Sequence, residues 1–445
     1  MPSSLKTFPN SFLWGASTAS YQIEGGTEEG GRGPSIWDKF CAEPGKVKNG
    51  DSGARACDHY HRYPKDIALM SGLGLNAYRF SIAWPRIQPS GRGAANERGL
   101  AFYDRLVDGL LEVGIEPWAC LYHWDLPQAL EDAGGWPSRE ISKWFTDYAA
   151  LVSSRLGDRI KHWATFNEPN VFTYLGYGLG VHAPGRAART DCLRAMHHVN
   201  LAHGAAIRVL RANVANAKLG CVLNLHPVRP ETSNDEHARV MLDAVWNRAF
   251  ADPMFNGDYT PPLLAELSKI NGLICDGDMS AIRQKMDFFG LNHYSPLYAR
   301  TDTNSPWGFA IGRGPADRPK TGMGWEIDPG AFRDQLLEIG ERYGRMPIYV
   351  TENGWGGEET ADASGRVDDS PRARYIADYL AALLEARERG ADVRGYFVWS
   401  LLDNFEWSEG YAKRFGIVRV DYDTMKRTPK ASYDWLKTVI ARNAL

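Results

Sequence analysis

The sequence predicts a single (β/α)8 barrel with long loops at the C-terminal face of its strands. Eight short strand-like runs follow one another without a compositional break, and each after the first is preceded by a helical stretch. No G-x-G-x-x-G or G-x-x-x-x-G-K-[ST] follows a strand, which removes the main reason to prefer a doubly wound sheet. At 445 residues, one barrel with insertions accommodates the whole chain, 1–445, as one catalytic domain.

Phe12–Ala16 is a short apolar first strand that ends in small residues. Asn76–Ser81 follows a helical stretch from Tyr63 to Ser71. Ile115–Trp124 follows Ala101–Val113, in which Phe102, Leu106, Leu110 and Val113 recur on one helical face. His162–Phe166 follows the amphipathic Ile141–Leu156, and Leu219–Leu225 follows Ala195–Val214. Phe288–Asn292 comes after Met279–Met286, Ile348–Thr351 after Phe332–Tyr343, and Val393–Trp399 after Pro371–Arg389. Two long irregular segments remain, Ser20–Asp58 and Tyr298–Pro329; loops of that length in a compact domain usually form lids or rims.

A formal net charge of −3 argues against a nucleic-acid partner. No run is long and apolar enough for a membrane span, and Met1–Asn10 has no apolar core of a leader. Six scattered cysteines, without C-x-x-C or metal spacing, read as reduced thiols, so a cytoplasmic setting is expected. No metal or cofactor is expected. Asp58-His59-Tyr60-His61 has a metal-like H-x-H spacing, but it lies in the approach to a helix and reads as a helix start. His197, His198 and His203 fall within a helix and are expected to face neighbours or solvent.

Chemistry in such a barrel gathers where the strands end. Those ends carry Gln22, Arg79, His123 with Trp124, Asn167 with Glu168, Asn292 with Tyr294, Glu352, and Trp399 with Glu406 and Trp407. Glu352 closes a buried β-branched and aromatic run, and Gly354 is read as letting the chain turn away behind it. Two acids at two strand ends are the minimal apparatus for splitting a glycosidic bond. Amides, a histidine and indoles around them suit a neutral polyol better than a phosphate or a nucleobase.

Five segments then carry a resemblance. Thr18–Gly25, Tyr122–Pro127, Thr165–Pro169, Thr351–Gly354 and Asp403–Trp407 stand in order and resemble the motifs of family 1 glycoside hydrolases, the β-glucosidase family. The resemblance implies a retaining β-glycosidase that removes terminal non-reducing β-D-glucosyl residues from a small glycoside or oligosaccharide, with β-galactosides and β-fucosides as further substrates. It implies a part in cellulose breakdown, Glu168 as acid/base and Glu352 as nucleophile. Gln22, His123, Trp124, Asn167, Glu406 and Trp407 would bind the sugar, with Trp399 as its platform and Asn292 lining the same pocket. Arg79 and Tyr294 would contact the nucleophile, and Trp325 would stack on the leaving-group side. His293, Asn170 and Trp355 depart from commoner family patterns, and the latter two are expected to reshape the aglycone entrance. The alternatives are a 6-phospho-β-glycosidase, a transglycosylase and a non-catalytic sugar binder. Two retained carboxylates argue against the last, and an acidic Glu406 argues against a phosphorylated sugar.

Overall fold

A computed structural model describes residues 6–445. The opening stretch read above for a leader lies in part outside the described residues. Eight parallel strands close into a barrel: β1 (Leu13–Ser17), β2 (Ala77–Ser81), β3 (Glu116–Tyr122), β4 (His162–Asn167), β5 (Lys218–Asn224), β6 (Phe288–Asn292), β7 (Ile348–Asn353) and β8 (Val393–Trp399). Neighbours in sequence are neighbours in the sheet, and β8 closes on β1 with Leu13 opposite Gly395 and Ser17 opposite Trp399.

The helices α1 (His59–Leu73), α2 (Glu97–Glu112), α3 (Ile141–Leu156), α4 (Arg189–Asn213), α5 (Asp278–Ile282), α6 (Pro329–Tyr343), α7 (Ser370–Glu388) and α8 (Ala431–Arg442) cover the outside. All eight strands were legible to within two residues, as were seven helices to within six. The differences are additions. The eighth helix follows the last strand, three further helices (Glu236–Trp246, Arg248–Phe255 and Pro261–Leu267) sit between β5 and β6, and the irregular Tyr298–Pro329 proves partly ordered. Leu297–Thr301 pairs with Val228–Pro230 and with Phe309–Ile311, and this small sheet builds one wall above the barrel mouth.

The barrel floor is an aromatic plug. Trp118, Phe288 and Phe397 fill it, with Trp118 stacked on His162 at 3.9 Å between centroids. Room for the rings comes from residues without side chains: a Cβ on Gly15 would lie 2.2 Å from the Phe397 ring, and one on Gly220 2.6 Å from Phe288. Above this dry layer the inward positions turn polar, at Arg79, Asn167, Asn292 and Glu352, all buried. The plug seals the closed end, so ligands enter only from the loop side.

Histidines singled out in the sequence have structural partners. His59 opens α1, as expected, and its Nδ1 bonds Asp66 at 2.8 Å, while Arg427 clamps the same carboxylate. His61 lies between Asp58 and Glu29. His197, His198 and His203 are buried rather than solvent-facing; His197 bonds Tyr259 and Asp278, and His203 bonds Thr165 at 2.7 Å. All six cysteines are free, five of them buried.

Candidate active site

A cleft of about 430 Å³ opens over the C-terminal ends of the strands. That is the ordinary size for a small-molecule site. Glu168, Glu352, His123, Trp124, Tyr294, Trp325, Trp399, Glu406 and Trp407 all line it.

The strands that deliver the two acids are also the ones with broken register. β4 slips against β5 between Ala164 and Asn167, and β7 slips against β6 between Val350 and Glu352. Such bulges re-aim the side chains that follow. Glu168 itself is left-handed, φ 49° and ψ 59°, directly before Pro169 at the first position of a short helix. A residue before proline is steered away from the right-handed helical region, and a left-handed glutamate is held there only by its surroundings.

Glu352 is held from two sides. Arg79 Nη1 donates to its Oε1 at 2.7 Å and the Tyr294 hydroxyl donates to its Oε2 at 2.8 Å. Glu168 Oε1 accepts from Asn224 Nδ2 and from Asn292 Nδ2, each at 2.8 Å. Asn167 ties the two halves together: its Oδ1 accepts from Arg79 Nη2 at 2.5 Å and from Asn292 at 3.0 Å. Its amide nitrogen meets His123 Nε2 at 3.0 Å. His123 therefore carries its proton on Nδ1, which finds no partner among the described residues. Burial, helped by the Arg79 charge, keeps that ring neutral.

Both acids are pushed up by burial, but not equally opposed. Burial first, and then the charge of Glu352, raise Glu168 to about 8. Burial also raises Glu352, while Arg79, Tyr294 and Asn292 pull it back. Of the pair only Glu352 bonds a guanidinium, so it ionises first and Glu168 keeps the proton. A third carboxyl, Glu406, is raised to about 8 by burial and by the charges of Glu352 and Glu168. Its Oε2, like Gln22 Oε1 and His123 Nδ1, is a buried polar atom without a partner among the described residues. Three such atoms in one region are costly unless they serve a ligand.

The family model for glycosyl hydrolase family 1 matches residues 4–445. The chain belongs to that family. It is 44% identical to β-glucosidase A of Thermotoga maritima, covering 99% of both chains. It is 43% identical to a bifunctional β-D-glucosidase/β-D-fucosidase of Bifidobacterium breve, covering 98% of both. Among solved structures, the Thermotoga maritima β-glucosidase in complex with glucoimidazole matches with a TM-score of 0.94 and 44% identity, covering 99% of this chain and 100% of that one.

Within this family 1 framework some expectations change. Asn292, expected to line the pocket, is fully buried behind it. Its Nδ2 is shared by Glu168 and Asn167, and its Oδ1 accepts from the Thr351 hydroxyl at 2.8 Å. It holds the acids rather than facing the cleft. Gln22 is anchored through its Nε2, which donates to Asn404 Oδ1 and to the Phe405 carbonyl, and this leaves its Oε1 as the unmatched end. Trp124 donates its indole N–H to the Asn167 carbonyl and packs on Trp407 at 4.5 Å. Trp325 does reach the cleft, against Tyr294 at 5.2 Å.

Asn170 and Trp355 do not line the cleft. Asn170 donates to the Asn224 carbonyl at 2.7 Å, and Trp355 lies under the Arg372 guanidinium at 5.3 Å. The outer wall is instead apolar, with Val171, Leu175, Trp246, Leu297 and Ile311. Gly354 does not sit in a left-handed turn either. A Cβ there would lie 1.8 Å from the Trp399 carbonyl oxygen, so the glycine permits close approach of β7 to β8.

Asn224 was missed. It closes β5, the strand whose end carries none of the residues expected above, and the rule that functional side chains sit at strand ends points straight to it.

Proposed function

We propose that this family 1 glycosidase is a retaining β-glucosidase, acting on terminal non-reducing β-D-glucosides and also on β-galactosides and β-fucosides. The observation that carries the reading is a pair of buried carboxyls of which only one, Glu352, bonds a guanidinium. One asparagine, Asn292, bonds Glu168 at 2.8 Å and also lowers the pKa of Glu352. A single amide in reach of both acids supports the spacing of roughly 5–5.5 Å used with retention, rather than roughly 6.5–9.5 Å with inversion.

Glu352, as carboxylate, attacks the anomeric carbon while Glu168 gives its proton to the departing oxygen. The attack consumes the negative charge of Glu352. Glu168 then loses a neighbour that had raised its pKa, and takes a proton from the water that hydrolyses the glycosyl-enzyme. Whichever donor sits on the attacking oxygen of Glu352, Arg79 on Oε1 or Tyr294 on Oε2, gives it up as the bond forms while the other keeps its hold, and both hold the carboxylate again when it is released. Glu406, Gln22 and His123 offer their unmatched atoms to the sugar hydroxyls, Asn167 orients His123, and Trp399, Trp407 and Trp124 form the apolar face beneath the ring. Trp325 stacks on the aglycone.

Five glutamates (Glu168, Glu326, Glu352, Glu406 and Glu409) line the cleft against one arginine, Arg313. That balance supports an unphosphorylated sugar. The chain acts as one catalytic domain over 1–445, and its free thiols support a cytoplasmic setting. No helix among the described residues is long and apolar enough to cross a membrane.

The test is a panel of nitrophenyl β-glycosides with and without phosphate at O6. Hydrolysis of the plain glucoside is expected, with none in Glu352→Ala and azide restoring turnover as the α-glycosyl azide. Glu168→Gln should spare the first step for activated aglycones only. A fully active Glu352→Ala protein, or a preference for the phosphorylated substrate, would overturn the reading.

A further inference from the structure

Behind Glu168 lies a chain of side chains that the proposed mechanism does not use. Asn224 Nδ2 donates to Glu168 Oε1 at 2.8 Å. The other end of the same amide, Asn224 Oδ1, is met by His226 Nε2 at 2.5 Å and by the Trp246 indole N–H at 3.2 Å. An indole nitrogen only donates, so the atom it meets is the oxygen, and the amide is fixed with its NH2 toward Glu168. His226 and Trp246 both line the cleft, and His226 is buried. The His226 backbone is itself clamped, its N–H by Asn247 Oδ1 at 3.0 Å and its carbonyl by Asn247 Nδ2 at 2.7 Å.

We propose that His226 is a positioning residue for the acid/base step: through Asn224 it confines the proton of Glu168 to Oε2, the oxygen free to reach the glycosidic bond. The argument is one of occupancy. Glu168 Oε1 accepts two N–H donors, Asn224 and Asn292, so a proton on that oxygen would meet two others. Were Asn224 to turn over, its oxygen would face Glu168 and draw the proton inward, away from the substrate. Two donors oppose that turn, the Trp246 indole at 3.2 Å and the shorter one from His226 Nε2 at 2.5 Å; without His226 only the longer contact is left to hold the amide. The other ring nitrogen, Nδ1, faces the Ser295 carbonyl. The imidazole thus lies between two acceptors, and the tautomer protonated on Nε2 is the one that serves Glu168.

The groups facing this chain are few. Glu168 is met by Glu352, Arg79, Asn224 and Asn292, and its charge is felt by Glu406 and Tyr294. His226 has His293 at 5.9 Å between ring centroids, and Asp243 approaches only through Asn247. Burial pushes His226 down to about 4, so near neutrality it holds a single proton. This inference rests on Glu168 being the acid/base.

The experiment compares wild type, Glu168→Gln, His226→Met and His226→Gln on cellobiose and on 2,4-dinitrophenyl β-glucoside, whose aglycone leaves without a proton. His226→Met should lose about tenfold more kcat/KM on cellobiose than on the dinitrophenyl substrate. It should also move the alkaline limb of kcat/KM upward, since an amide that no longer donates ceases to favour the carboxylate. His226→Gln keeps an N–H donor toward Asn224 and should restore both the ratio and the limb. Equal losses on the two substrates with an unmoved limb, or a glutamine variant no better than the methionine one, would overturn the inference alone. Should Glu168→Gln itself fail to separate the two substrates, the assignment of Glu168 falls, and the inference with it.

Discussion

Replacing Arg79 with methionine removes the one cation bonded to Glu352 and keeps most of the buried volume. The site then has two choices, to bury an uncompensated carboxylate or to protonate it. Protonation is the cheaper. Bringing a carboxyl with an ordinary pKa of 4.5 to its neutral form at pH 7 costs about 3 kcal/mol, which sets the ceiling on the loss. Little else is stranded, because Asn167 Oδ1 keeps its bond from Asn292 at 3.0 Å. For a chain of 445 residues, with an unfolding entropy of about 2 cal/mol/K per residue, that ceiling corresponds to a Tm lower by at most about 3–4 °C at pH 7.

The sign with pH follows from linkage. A folded carboxyl whose pKa lies above its unfolded value binds more protons folded than unfolded, so stability falls as pH rises above the unfolded value. The Arg79→Met deficit should therefore shrink to about 1 °C or less at pH 5 and grow toward pH 7. With the proposed nucleophile largely neutral, kcat/KM should fall by at least about tenfold at pH 7 and recover in part as pH rises and Glu352 ionises. Differential scanning fluorimetry at the two pH values and dinitrophenyl β-glucoside kinetics measure both. Arg79→Met/Glu352→Gln should regain most of the lost Tm while staying inactive. A Tm deficit identical at pH 5 and pH 7, or near-wild-type turnover in the single variant, would refute the reasoning.

As the proposed acid, Glu168 enters the first step protonated, so kcat/KM for unactivated glucosides should fall as pH rises through about 8. A profile flat to pH 10 would exclude that assignment. Glu406→Ala strips partners from the sugar hydroxyls and should cost about 10- to 100-fold in kcat/KM on nitrophenyl β-glucoside; a loss below threefold would remove Glu406 from sugar binding. Gly354→Ala pushes a methyl into the Trp399 carbonyl, so soluble protein should show a lowered Tm and a raised KM. Unchanged kinetics and stability would mean that β7 and β8 have room to part.

The barrel was legible because its strands are buried on both faces and appear as short β-branched and aromatic runs, and because amphipathic helices separate them. The acids were legible for the same reason, as charged residues that end apolar runs. Side-chain direction past the strand ends was not. Trp355 stands only three residues beyond Glu352, yet it turns to Arg372, and Asn170 turns to the β5 backbone. Their departure from commoner sequences says nothing of which way they point. The edge strand Phe309–Ile311 is too short and too polar in its surroundings to register as a strand. Gly354 was read as a turn because local sequence reports local geometry. Its actual constraint is a carbonyl on the next strand, forty-five positions on in the chain.

The amide lattice beneath the cleft draws its members from β2, β4, β5, β6 and β7, and its longest bond, Arg79 to Glu352, spans 273 positions. During synthesis no such lattice exists until the last third of the chain has emerged, and Glu352 has no cation until β2 and β7 share a closed cylinder. Hydrolytic competence is then a late event in folding, a property of the finished circle rather than of any arc. An N-terminal piece ending between β6 and β7 would carry Gln22, His123 and Glu168 but neither Glu352 nor Glu406, and so no pair of strand-end acids. Recovery of turnover on mixing the two pieces would report ring closure itself.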